Sequence, residues 1–340
     1  MQNFDWLKHN GKQIATLRGI AVLLVFFSHL NLNLNLSKEL LFISGRIGVV
    51  LFFLISGLLA YSSRYKKSLK QYIFNRFCRM YPVYWLLLIL ACITFEKQFS
   101  IMQVLTNFTL FQEFLGHKSI LGASWMMPIQ IIFFIFIGIY GVKSLFAQVN
   151  IKSLSLANIE VIMVITSLLT ILCGALRYFT NKPWPTAIFL LMNVSFLGIL
   201  YYKKVQRDLP VRIYTTLFLF EVSLLLGGYL SYGKGLEYGN WISYFLAYNL
   251  GFLLFISVIF LRVNLNLFIK LGEIGFTFFL GAEIPYSLIK KVCDLESSGF
   301  AGFQDVIIKF AAAIVFSMLV TKLVEIPILK WSKNIEKSIS

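Results

Sequence analysis

Residues 17–30 read LRGIAVLLVFFSHL, an apolar run that opens on Arg18 and closes on His29. Lipid offers no partner to backbone N–H and C=O groups, so a run of this kind crosses a membrane as a helix. From Arg18 to His29 the helix turns through about 1100° at ~100° per residue, roughly 20° beyond three full turns. The two side chains therefore share one face, roughly 16 Å apart at ~1.5 Å per residue. Ionisable groups are costly in a membrane, so this stripe is expected to face protein or water, in a chamber that both groups share. That makes it a candidate site.

The remaining sequence has the same character. Hydrophobic residues make up 58% of the 340 and charged residues 14%, with mean hydropathy +0.78. This balance excludes an ordinary soluble domain and indicates a polytopic membrane protein, all-α, in contact with membrane lipid along most of its length. Residues 1–12 are polar and no small-residue cleavage site follows, so the first helix is expected to be retained. The net charge of +16 is spread as short Lys and Arg clusters between apolar runs, which argues for membrane orientation and against nucleic acid. Cys78, Cys92, Cys173 and Cys293 show no CxxC spacing and read as packing residues.

About ten runs approach the ~20 residues that a span requires. The third, at 81–95, is short, and residues 99–115 suit an interfacial or re-entrant piece, which leaves eleven crossings or a discontinuous third helix open; the ninth is expected at 274–289 and the last at 307–324. With the N-terminus in the cytoplasm, twenty of the 31 Lys and Arg residues fall on inner connections and ten on outer ones, Lys322 lying inside the last span. Both termini are thus expected in the cytoplasm, with an even number of crossings. No repeat and no Pro-, Gly- or Ser-rich linker divides the chain, so residues 1–340 are expected to form one integral membrane domain.

His29 is open to two readings. It could hydrogen-bond a neighbouring helix, as polar groups do in membranes. It could also act as a general base, since an imidazole with an unperturbed pKa of ~6.5 can accept a hydroxyl proton at neutral pH. Arg76 and Arg79 stand three residues apart, so one face of a helix would present two planar forks, either as snorkelling anchors or as a phosphate-binding pair. The run at 45–57, GRIGVVLFFLISG, lacks the spacing of a phosphate loop and reads as close helix packing. Three scattered histidines with no HExxH assemble no metal site, and no GxSxG elbow is present. Glu160, Glu221, Glu283 and Glu325 are intramembrane carboxylates that could pair with basic residues on other helices.

These elements resemble the membrane-bound acyltransferase family 3, multi-helix O-acyltransferases that include O-antigen acetylases. Residues 17–29 are similar to that family's opening Arg-Gly-hydrophobic-Ala pattern closed by His. Residues 48–57 resemble its second-helix signature, Arg76, Arg79, Tyr81, Pro82 and Tyr84 its RxxR-hydrophobic-x-Pro-x-Tyr element, and residues 324–327 its closing motif with Glu325. Two departures stand out. Trp125 is followed by Gln130 where the family usually has Glu, and Glu283-Ile284-Pro285 replaces a usual His-x-Pro.

The resemblance implies transfer of an acyl group, commonly acetyl, from acetyl-CoA or another acyl-CoA to a sugar hydroxyl. The carbohydrate acceptor would be a surface polysaccharide or its lipid-linked saccharide precursor, at the inner (plasma) membrane. In that setting His29 is the general base, Arg18 orients the thioester or steadies developing charge, and Arg76 and Arg79 hold the donor phosphates. Trp125, Gln130, Glu283 and Glu325 are further candidates. Buried His and Glu also serve proton relays, so a proton-coupled exporter of an envelope saccharide is the competing class. The missing Glu and His leave a non-catalytic assembly partner as a third.

Overall fold

The computed structural model describes residues 6–29, 38–95, 97–146, 156–206, 212–233, 240–293 and 303–338. Among them every regular element is helical: α1 (Trp6–His9), α2 (Gly11–Ser28), α3 (Lys38–Lys66), α4 (Leu69–Thr94), α5 (Ile101–Phe108), α6 (Met127–Phe146), α7 (Leu156–Thr180), α8 (Thr186–Gln206), α9 (Arg212–Tyr232), α10 (Trp241–Phe260), α11 (Asn266–Glu273), α12 (Gly275–Gly281), α13 (Glu283–Cys293), α14 (Phe303–Val320) and α15 (Ile326–Ser338). Two 3₁₀ turns, Gln112–Leu115 and Gly122–Met126, precede α6, and a π turn, Thr321–Glu325, joins α14 to α15. Leu30, the last residue of the opening run, lies outside the described residues.

Nine of the described helices are long and apolar enough to cross a membrane, so the chain is a multi-pass helix bundle. The span expected at 274–289 is broken into α11, α12 and α13, each too short to cross alone. Together they still travel the depth of the bundle. The Leu265 N–H donates to Thr16 Oγ1 at 3.4 Å near the start of α2, and Ser287 Oγ donates to the Thr94 carbonyl at 3.1 Å where α4 finishes. Counting this broken segment makes an even number of passes, with the two described chain ends on one side, the terminal end, and His29 at the other, the far end.

Small residues let the helices approach. A Cβ at Gly19 would strike the Phe268 backbone and one at Gly272 the Ala15 backbone, so the α2–α11 crossing depends on both glycines. At Gly57 the same holds against Ser195 of α8, as the 45–57 run predicts.

The third span differs from its expected form. α4 begins at Leu69, twelve residues before position 81. Ser68 caps it: the Gln71 N–H donates to Ser68 Oγ at 3.3 Å and the Ser68 N–H to Gln71 Oε1 at 3.0 Å, a capping box. Arg76, Arg79 and Pro82 therefore lie inside a membrane helix rather than before one. The interfacial alternative describes 99–115 well. α5 has eight residues, about 12 Å at ~1.5 Å per residue, and its Ile101, Met102, Leu105 and Phe108 are exposed. Its other side is anchored on α4 by Tyr84 Oη donating to the Asn107 carbonyl and Trp85 Nε1 to the Phe108 carbonyl, both at 2.9 Å. Cys78, Cys92 and Cys173 carry free thiols, while the side chain of Cys293 lies outside those described.

Candidate active site

Arg18 of α2, Arg76 and Arg79 of α4 and Gln130 of α6 line one small cavity of about 90 Å³. The early start of α4 sets this up, because it carries the arginine pair to the level of Arg18. Arg76 lies over the rings of Phe134 and Tyr72, 4.4 and 5.2 Å from their centroids, and donates Nη2 to the Leu59 carbonyl at 3.5 Å. Arg18 and Arg79 have neither a hydrogen-bond nor an ion-pair partner among the described residues. Arg18 is close enough to feel the like charge of Arg79 and the opposite charge of Glu325. Three guanidiniums converging on a cavity with no ion-paired carboxylate form a site that an incoming anion would stabilise.

Gln130 Nε2 donates to Ser56 Oγ at the edge of this cavity. Glu325 stands in the π turn, where its Oε2 accepts from Thr277 Oγ1 at 3.1 Å and Thr321 Oγ1 at 3.3 Å. The turn thus ties the closing motif to α12.

His29 opens on a second, far larger cavity of about 830 Å³ at the far end, within the ~300–1,000 Å³ of small-molecule sites. It caps α2 and its side chain is exposed to this space. Nδ1 lies 2.8 Å from the Val25 carbonyl oxygen. A carbonyl only accepts, so Nδ1 carries the hydrogen and the Nε2 lone pair is left as the basic site. Phe95, Phe99 and Tyr286 supply apolar walls; Glu283 and Lys97, Lys118, Lys290 and Lys309 supply charge.

The expectation of one chamber shared by Arg18 and His29 is not met. Arg18, Val22, Val25 and His29 do fall on one stripe, at i, i+4, i+7 and i+11, but Arg18 lines the small cavity and the other three line the large one. Phe279 of α12 borders both, its ring packed edge-on against Phe52 at 5.1 Å. The Gly122–Met126 turn runs along both, with Ala123 lining the large cavity and Met126 the small one. The wall is built from elements distant in sequence, so helical spacing could not reveal it.

Of the other candidates, Glu283 lies with His29, whereas Trp125 lines neither cavity. Trp125 meets instead a residue the sequence reading missed. The Arg46 guanidinium sits 5.0, 5.2 and 5.7 Å from the ring centroids of Phe42, Tyr244 and Trp125. The four lysines of the large cavity were also passed over, although their place on outer connections, where Lys is otherwise sparse, was a visible signal.

Three guanidiniums and an imidazole thus open on adjoining cavities within a membrane bundle. Neither a curated protein nor a solved structure matched the chain. A family model described as an acyltransferase domain matches residues 12–324, a range that holds both cavities and all the arginines, His29 and Gln130. The chain therefore belongs to acyltransferase family 3, as a multi-pass membrane member.

Proposed function

We propose that this acyltransferase moves an acyl group, acetyl in the simplest case, from acyl-CoA to a hydroxyl of a cell-surface polysaccharide or its lipid-linked precursor in the plasma membrane. One observation carries the reading: a basic imidazole nitrogen opening into a saccharide-sized cavity adjoins three arginines without ion-paired carboxylates. Guanidinium forks match phosphate oxygens, and Arg18 and Arg79 keep their N–H donors available for them. The 90 Å³ cavity admits a phosphate-sized anion, so a nucleotide's bulk would stay outside it.

When bound, acyl-CoA supplies an acyl carbon joined to a good leaving sulfur. His29 Nε2 takes the proton of the acceptor hydroxyl as that oxygen bonds to the acyl carbon; the carbon–sulfur bond breaks, and Nε2 returns the proton to the departing sulfur. The products are an ester and a free thiol. The rise of α2 keeps Arg18 roughly 16 Å from His29 along the helix, which supports a role in phosphate binding with Arg76 and Arg79 rather than at the reacting carbon.

The test is mass spectrometry of the host's surface glycans with and without the chain. A gained acyl increment, lost in Arg76→Ala/Arg79→Ala, is expected; unchanged glycans would refute the reading.

A further inference from the structure

We infer that the acceptor bound in the large cavity is an anionic saccharide, one that carries fixed carboxylate or phosphodiester charge beside the hydroxyl to be acylated. This rests on the acyl-transfer reading above. Lys97, Lys118, Lys290 and Lys309 line the cavity against one carboxylate, Glu283. Orientation bias depletes outer connections of Lys and Arg, yet four of the ten outer cations gather here. They converge from separate elements: Lys97 follows α4, Lys118 precedes the Gly122–Met126 turn, Lys290 lies on α13 and Lys309 on α14.

Two of these lysines are positioned by their surroundings. Asn107 Nδ2 donates to the Lys118 carbonyl at 3.1 Å while its Oδ1 accepts from the Ile120 N–H at 2.9 Å, which holds the backbone that presents Lys118. Lys309 Nζ lies 4.3 Å from the centroid of Tyr286, another wall of the cavity. The Lys97 and Lys118 ammoniums have no hydrogen-bond or ion-pair partner among the described residues. A neutral saccharide would need neutral donors and acceptors, and like charges held around a concave site raise the field there at a cost that a bound anion offsets. His29 lines the same cavity as these lysines, so the charged group and the reacting hydroxyl would belong to one molecule.

The full chain in phosphatidylcholine nanodiscs is labelled with an amine-acetylating reagent, and rates at individual lysines are read by mass spectrometry. Tetragalacturonate and its neutral methyl ester, which share every hydroxyl, are the probes, with a glycerol-phosphate oligomer alongside. Tetragalacturonate should slow labelling of Lys97 and Lys118 about fivefold each, the scale of one solvated charge contact, while exposed Lys182 is unaffected and the ester does nothing. Protection by the phosphate oligomer alone would also support the inference and identify the charge as phosphodiester. Equal protection by the ester, or none by either anion, overturns it. So does protection from phosphatidylglycerol in the nanodisc without saccharide, which would make the lysines a lipid headgroup site. Lys97→Gln/Lys118→Gln should bind the acid less tightly and narrow its preference over the ester; if that variant does not fold, labelling of the native chain decides by itself. Charge-selective protection with no acyl increment on glycans would refute acyl transfer alone, and acyl increments without protection would refute this inference alone.

Discussion

His29 is held by its own helix, through Nδ1 to the Val25 carbonyl, so removing the ring should leave the fold intact and delete only the base. His29→Ala is expected to lower acyl transfer by about 10²- to 10⁴-fold, the usual worth of a positioned proton acceptor, with unchanged membrane insertion. Normal acylation in that variant would take His29 out of the chemistry. Gln130 gives a second test at this scale, because it shares the small cavity with three arginines. Gln130→Glu should place a carboxylate in reach of Arg18, Arg76 and Arg79, compete with an incoming phosphate and raise KM for acyl-CoA several-fold while leaving kcat little changed. A variant that gains activity where the native chain has none would instead favour the non-catalytic reading.

Among the elements, α12 matters most. It is seven residues long, bounded by breaks at Ile274 and Ala282, and it sets Phe279 between the two cavities. If the acyl group travels from the arginines to His29, it passes this ring. Phe279→Ala should open the wall and let water in, so acyl-CoA hydrolysis in the absence of acceptor should rise; unchanged hydrolysis would show that Phe279 is no barrier. α15 offers a purely structural test. Glu336 pairs with Lys67 at 2.6 Å and accepts from Asn75 Nδ2 at 2.5 Å, tying the last helix to the start of α4. The pair is only partly buried, at 24% and 15% exposure, so Glu336→Gln should cost about 1 kcal/mol, seen as a lower thermal midpoint with catalysis unaffected.

For the whole molecule, the rise of α2 from Arg18 to His29 puts the arginine cavity and the imidazole at different depths. On the proposed reading the terminal end, where basic residues are in excess, faces the cytoplasm, the side that supplies acyl-CoA. In a chain freed of its native cysteines, Lys182→Cys should react with an impermeant maleimide from outside the cell, and Lys333→Cys only after permeabilisation. The reverse pattern would invert the assignment and put donor and base on the wrong sides for the proposed reaction.

That the chain is a bundle of membrane helices and that Arg18 and His29 lie on one stripe could be read from the residues alone, because both follow from local rules: backbone satisfaction in lipid and 3.6 residues per turn. The family was legible from the same short motifs, and the true start of α4 could have been read from Ser68 and Gln71, which spell a capping box. It took the packing of the helices to show that Arg18 joins Arg76 and Arg79 while His29 opens elsewhere, that Arg46 is enclosed by aromatic rings, and that four lysines from separate elements meet in one cavity. A partition such as Phe279 against Phe52 arises from packing between helices far apart in the chain, and periodicity within one helix carries no information about it.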